Sequence, residues 1–202
     1  DALLTELEEL RDAGSAVQRL QREGERVAQQ WRAAATALSD ARRDAAKTLG
    51  REVTALMDHL GMGGGRFEVA LEARDSDEPD PQGAERAEFL VAANAGQPPR
   101  ALRKVASGGE LSRISLAIEV AALGADAVHT MVFDEVDSGI GGGVAEVVGQ
   151  KLRTLGAQRQ VLCVTHLPQV AAQGHRHLRV SKSAAHGDTV SRIEVLDDAQ
   201  RV

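Results

Sequence analysis

Tyrosine is absent from this sequence, and its aromatics come to one tryptophan and three phenylalanines. Recognition of nucleic acid by stacked bases needs several aromatic platforms, so a surface of that kind is disfavoured. Excess positive charge is missing as well. The net charge of −6 argues against a chain that binds nucleic acid generally by itself, although a local basic patch stays open. Cys163 is the lone cysteine, which excludes an internal disulfide and a cysteine-based zinc site and suits a reducing cytosol. No apolar run approaches the roughly 18 residues of a membrane span, and the first 30 residues are too charged for a signal peptide. HExxH and metal-spaced His/Cys clusters are also lacking.

With 43% apolar residues, 27% charged residues and five prolines, the composition is globular and has room for one domain plus an appendage. The appendage comes first. Leu3, Leu10, Val17, Gly24, Trp31, Leu38 and Ala45 fall on one heptad row. The matching row is Leu7, Gly14, Gln21, Ala28, Ala35, Arg42, Leu49 and Leu56. The first row is mostly apolar and the second weak in its middle, which predicts a coiled-coil helix over residues 1 to about 60. Continuous, it would reach roughly 90 Å, and its seam requires a partner helix that this sequence does not contain. A start at Asp1 within that pattern reads as a piece of something longer. Past Leu49 the apolar set widens to Val53, Leu56, Met57 and Leu60, as for a helix entering a core.

Four glycines in Gly61 to Gly65 end the helix with a left-handed cap. Arg66 to Ala73 and Glu88 to Ala93 read as two strands joined by a mobile polar loop. Ser107 and Glu110 then stand in S-x-x-E spacing before the apolar run that ends near Leu123, a capping box. Leu111, Ile114, Ile118 and Ala122 form one face of that largely buried helix. Its Ser-Gly-Gly turn, with Lys104 nearby, presents bare N–H groups and the positive end of the dipole, which suits a phosphate.

The stretch from Asp126 to Glu135 predicts a buried parallel strand whose apolar run Met131-Val132-Phe133 ends in Asp134 and Glu135. Strand alternation would aim those two carboxylates to opposite sides, free to serve separate roles. A glycine-rich turn (Gly139 to Gly143), a helix to Leu155, a second strand (Gln160 to Thr165), a short helix ending by Gly174 and a hairpin around residues 186–188 complete the chain. Strand–helix–strand–helix–strand order predicts right-handed crossovers and a parallel sheet. His166 follows its strand as Asp134 follows the earlier one, and neighbouring strands would place both in one crevice. Arg100, Arg103 and Lys104 are the candidate local basic patch.

Three motifs, ASGGELSR (106–113), MVFDEVDSGIGG (131–142) and VTHLPQVA (164–171), occur in order, and together they resemble the ABC-type ATPase heads of the SMC-like proteins. The DSGIGG form is similar to the bacterial DNA-repair branch of that family rather than to SMC proper, whose loop is SxLD-like. The resemblance covers essentially the whole chain. It implies an α/β fold: the C-terminal lobe of such a head (61–202), with a mostly parallel sheet, preceded by the coiled-coil helix that returns into it (1–60).

What the resemblance implies for the residues is specific. Asp134 would orient Mg²⁺ and Glu135 would polarise the attacking water, with His166 at the γ-phosphate. Ser107, Gly108, Gly109 and Glu110 would form the signature turn, gripping the nucleotide of an opposing head because the turn lies too far from its own Glu135 to act within one chain. Asp137, Ser138 and Gly139 would be the D-loop. ATP and Mg²⁺ are thus the implied cofactors, in a cytoplasmic, nucleoid-associated ATPase for double-strand break repair that tethers DNA. The implied partners are DNA, a second copy through the heads or coil, and an N-terminal lobe; no membrane is implied. The sequence departs from the family in having no G-x-x-x-x-G-K-[ST]. The phosphate cradle would come with the N-terminal lobe, and this chain alone would hydrolyse ATP poorly or not at all. Two alternatives stay open: another SMC-like or nuclease-associated ATPase, and a non-enzymatic coiled-coil scaffold with a degenerate nucleotide site.

Overall fold

The computed structural model describes residues 2–75, 78–105, 107–122, 128–185, 188–197 and 199–201, without the side chains of residues 2–12, 184, 185 and 188. The side chains of Leu3, Leu7 and Leu10, together with Ala106, Leu123, Asp126 and the turn residues His186 and Gly187, therefore lie outside the described part. Helix α1 runs Ala2–His59 and ends where Gly61 takes φ 78°, the left-handed cap that the glycine cluster predicts. Strands β1 (Arg66–Ala73), β2 (Glu85–Ala92) and β3 (Arg100–Ala101) form one sheet in that order. The brief β3 pairs antiparallel with β2 through Leu90 and Ala101, within a stretch that reads as loop from sequence. Next come α2 (Gly108–Ala121), β4 (Thr130–Phe133), α3 (Gly142–Gly156), β5 (Gln160–Cys163) and α4 (Pro168–Ala171). Strands β6 (His177–Ala185) and β7 (Asp188–Leu196) close the chain.

The chain divides into two compact units, Asp1–Ala46 with Ala70–Glu88 and Lys47–Val69 with Phe89–Val202. In the first unit the described residues at the two ends of the polar β1–β2 connection are hydrogen-bonded. The Trp31 indole N–H donates to the Asp80 carbonyl at 3.0 Å, Arg42 donates to the Glu85 carbonyl at 3.3 Å, and Arg74 pairs with Asp80 at 2.9 Å. Both heptad rows are partly covered here: Ala28 and Arg42 of the weaker row and Trp31 of the apolar row are half-buried, and Ala35 is buried. Val17, Leu20 and Val27 stay about half exposed or more (53%, 66% and 49%). An unpartnered apolar stripe thus remains on α1.

The core of the second unit is built as the widening apolar set predicts. Val53, Met57 and Leu60 are fully buried with Phe67, Val91, Ile114, Leu116, Phe133, Val136, Val148 and Leu155. On α2 the buried positions are Gly109, Arg113, Ile114, Leu116 and Ala117, while Leu111 faces out and Arg113 faces in. The expected apolar face is thus rotated toward Arg113.

Strands β4 and β5 pair in parallel, Met131 opposite Val161 and Phe133 opposite Cys163, with α3 as the crossover. The third strand of the expected series does not join them. Instead β6 pairs antiparallel with β7, so among the described residues the parallel sheet has two strands. Nor is it buried on both faces. Phe133 points into the core, whereas Val132, Leu162 and Val164 are 66%, 46% and 61% exposed on the opposite side. The hairpin has a similar face: Leu178 opposite Val195 and Val180 opposite Ile193, all more than half exposed. Among the described residues no helix is long and apolar enough to cross a membrane.

Candidate functional site

Two elements deliver the candidate residues to one turn. The first is the N-terminus of α2, where the Ser107 side chain accepts from the Glu110 amide at 3.3 Å, as the capping-box spacing predicts. Ser107 and Gly108 are exposed, Glu110 is half-buried and Gly109 is buried. The second is the carboxyl end of β4. Asp134 follows the strand directly and its Oδ1 accepts from the Glu135 amide at 2.9 Å. Glu135 itself has left the strand: its φ of 57° is the sole left-handed value at a non-glycine among the described residues. The left-handed turn at Glu135, rather than strand alternation, accompanies the placement of its carboxylate beside Gly108. Such a conformation costs about 1–2 kcal/mol and persists only where surrounding contacts hold it.

Those contacts come from α2. The Ser112 hydroxyl donates to the Asp134 carbonyl at 2.6 Å, and the Arg113 guanidinium donates to the Ser138 carbonyl at 2.8 Å. Gly109 leaves no room between helix and turn. A Cβ there would come within 2.9 Å of the Ser138 Cβ and 3.2 Å of the Glu135 and Ser138 carbonyl oxygens, while one on Gly108 would run into the Glu135 carboxylate. The Ser-Gly-Gly turn therefore touches Glu135 within the same chain, which corrects the separation expected from sequence. The Ser112–Asp134 bond spans 22 positions of sequence, and Ile114, Leu116 and Phe133 belong to one buried core.

The far side of the turn belongs to Asp137. Its carboxylate is only 2% exposed and Oδ2 collects the Thr165 hydroxyl, the His166 amide at 3.1 Å and the Leu167 amide at 3.4 Å, with the His166 Nδ1 at 3.3 Å. Burial opposes its ionisation. The Thr165 hydroxyl, the His166 amide and the His166 imidazole outweigh that penalty, and the carboxyl is held below the usual aspartate range. His166 is reached this way and not by standing level with Asp134. In the parallel register the residue beside Asp134 is Val164, whose amide bonds to the Phe133 carbonyl at 2.9 Å. The imidazole is 72% exposed and anchored through Nδ1, so Nε2 is presented outward. Ser138 and Gly139 are exposed, the latter at φ 74°.

Arg113, Ser112 and Thr165 are parts of the site that sequence reasoning missed. An arginine embedded in the apolar run LSRISLAI is the available signal for the first. Burial pulls the Arg113 guanidinium below the ordinary arginine value, with Glu110 partly opposing that shift.

Among the described residues no group of three or more metal-ligating side chains converges. Mg²⁺ characteristically takes one or two carboxylates and completes its shell with phosphate oxygens and water. An exposed Asp134 at a strand end, one oxygen of which is engaged by the Glu135 amide, fits that use. The exposed amides at the start of α2 match a phosphate, although the Glu135 carboxylate now lies beside them.

No protein-family model matches the chain. Curated relatives do. It is 56% identical over 201 residues to the DNA repair protein RecN of Xylella fastidiosa strain 9a5c, covering 100% of this chain and 36% of that protein. It is 43% identical over 200 residues to RecN of Haemophilus influenzae, covering 99% of this chain and 36% of the relative. RecN of Bacillus subtilis is 34% identical over 210 residues, with 98% of this chain and 36% of the relative covered. The chain thus spans about a third of the length of these relatives.

Its fold is that of solved Smc heads. The Smc head domain with coiled coil and joint from Pyrococcus yayanosii gives a TM-score of 0.55 at 20% identity over 77% of this chain and 28% of that one. The Pyrococcus furiosus Smc head with extended coiled coil, solved with the C-terminal domain of ScpA, gives 0.53 at 20% identity over 74% and 35%. Sequence and fold together place the chain in the RecN/SMC-like family of ABC-type ATPase heads, as the C-terminal portion of such a head.

Proposed function

We propose that this chain supplies the catalytic carboxylates and the signature turn of an ATP-hydrolysing head that acts in DNA double-strand break repair. The observation that carries the reading is the convergence on one turn, residues 134–139, of the α2 N-terminus, the Asp134–Glu135 pair and the Asp137-held His166. Phosphoryl transfer asks little covalent chemistry of a protein; it asks for positioning and for neutralised charge. Mg²⁺, when bound at Asp134, supplies that neutralisation. Glu135 orients the attacking water by accepting a hydrogen bond from its O–H, and the outward Nε2 of His166 meets the terminal phosphate. The α2 amides and the Ser107 hydroxyl receive phosphate oxygens.

Partners follow from what the chain leaves uncovered. Val132, Leu162 and Val164 on the parallel sheet and Leu178, Val180, Ile193 and Val195 on the hairpin are apolar faces at sheet edges, suited to an N-terminal lobe carrying the missing phosphate cradle. The Val17–Leu20–Val27 stripe suits a second coil strand. Exposed Ser107 and Gly108 leave the signature turn open to a second head, so that ATP closes two heads and DNA is tethered between them. DNA contact through Arg100 and Lys104, both exposed, accords with a local patch on a chain of net charge −6.

The test supplies the N-terminal lobe, linked or in trans, and measures ATP hydrolysis and self-association with this chain alone as control. Activity only in the mixture, rising with protein concentration and reduced roughly 10²–10⁴-fold by Glu135→Gln with ATP binding intact, supports the reading. ATP binding without turnover or dimerisation turns the assignment to a scaffold.

A further inference from the structure

Arg113 is 7% exposed, within an otherwise apolar face of α2 beside Ile114, Leu116 and Ala117. Burying a cation is expensive and calls for full hydrogen bonding. This one has not been given that: its side chain donates to the Ser138 carbonyl at 2.8 Å, and its buried Nε has no partner. A methionine or leucine would fill the same space without desolvating a charge, so packing does not account for an arginine. What an arginine adds is the reach to Ser138.

Ser138 is the closing residue of the turn that begins at Glu135; its amide bonds to the Glu135 carbonyl at 3.0 Å. The turn is gripped at both ends by consecutive residues of one helix, Asp134 by Ser112 at 2.6 Å and Ser138 by Arg113. Gly109 closes against the Glu135 and Ser138 carbonyls between those grips. The left-handed Glu135 is therefore held from α2, the same helix whose N-terminus carries the signature turn. A shift of α2 relative to β4 moves Glu135 with it.

We propose that Arg113 is a positioning residue for the hydrolysis assigned above: it fixes the 135–138 turn to α2, so that the aim of Glu135 follows the state of the signature turn. The inference rests on the ATPase reading and adds to it a buried residue that acts through the backbone of Ser138.

The experiment uses the longer protein, with the N-terminal lobe present, and compares Arg113→Met, Arg113→Lys and Glu135→Gln. Steady-state kcat and KM for ATP are measured beside thermal unfolding. A misaimed base should lower kcat roughly 10- to 100-fold in Arg113→Met, leave KM for ATP nearly unchanged, and regain part of kcat in Arg113→Lys, whose ammonium can still donate to a carbonyl. Wild-type kcat in Arg113→Met overturns the inference, as does a fall in kcat that matches a loss of folded protein and is the same in both variants. If Arg113→Met does not fold, Arg113→Leu, which also removes the donor, decides. A reduced kcat at an unchanged Tm sustains the role, and wild-type kcat removes it. Glu135→Gln separates the two levels: full turnover in that variant defeats the ATPase reading itself, whereas its inactivity beside an unaffected Arg113→Met defeats the positioning role alone.

Discussion

Removing the Asp137 carboxylate should unfasten the turn 134–139 from the segment carrying His166. In Asp137→Ala the Thr165 hydroxyl and the amides of His166 and Leu167 lose their shared acceptor, and the His166 imidazole loses its anchor. Hydrogen bonds to a charged acceptor contribute about 1.5–3 kcal/mol each, and buried donors left unmatched cost about as much again. These bonds share one oxygen and the His166 imidazole is exposed, so simple addition overstates the loss. We expect about 3–4 kcal/mol for Asp137→Ala and about 1–2 kcal/mol for Asp137→Asn, which keeps one acceptor oxygen. Urea unfolding of both variants beside the parent reads this directly, as a shift of midpoint at constant slope. A pH series adds a second, independent signature. Asp137 is held below the usual aspartate range, so on acidification the unfolded chain takes up its proton before the folded one does. Its contribution is whole above the ordinary aspartate value and is lost as pH falls through the lowered folded value; Asp137→Asn should flatten that part of the profile. A loss under 1 kcal/mol in Asp137→Ala, or an unchanged acid limb in Asp137→Asn, would refute the bracket.

Other sites give sharper tests of single contacts. Gly109→Ala drives a methyl against the backbone of Glu135 and Ser138 and should cost about 1–3 kcal/mol by overpacking, measured by the same unfolding. Glu119→Ala removes the partner of the half-buried Arg159, at 2.9 Å, and should cost about 1–2 kcal/mol; Glu119→Gln should recover part of it. Trp31→Phe removes the indole bond to the Asp80 carbonyl and about 1 kcal/mol, read as faster exchange of the amides near Ala84 while those of β4 are unaltered. Cys163 has its thiol pushed from about 9 up to about 11 by burial and by Asp137 and Asp134. Alkylation at pH 8 should therefore run about 100-fold slower folded than unfolded. By the same shift, stability should fall between pH 9 and 11, where the unfolded thiol ionises first.

What the sequence made legible were features written in adjacent residues. The glycine cluster after His59, the Ser107–Glu110 cap and the apolar run before Asp134 each encode a local conformation, and each is found where its spacing puts it. Contacts between distant segments were not legible. Nothing adjacent to Asp137 says that its acceptor serves Thr165, His166 and Leu167, 28 to 30 residues on. The buried face of α2 is not legible for the same reason. Helical periodicity counts Arg113 as polar and turns it outward, whereas the carbonyl of Ser138 draws it in. Apolarity ranks the two heptad rows from sequence, whereas the structure engages both: Trp31 of the apolar row donates to the Asp80 carbonyl and Arg42 of the weaker row to the Glu85 carbonyl.

The strand ends carry the remaining lesson. Met131, Val132 and Phe133 are what a strand covered on both faces looks like, yet Val132 is 66% exposed. The sequence specifies that both faces want cover but not which segment provides it, because burial is a property of the assembled layers and not of the strand. The same reasoning applies to Leu162, Val164 and the outward face of the β6–β7 hairpin, and to Val17 and Leu20 on α1. These residues are apolar in patterns that fit their elements and lack only a neighbour. That agreement between local pattern and exposure accords with the additional lobe and coil strand of the proposed function, and it does so independently of any motif.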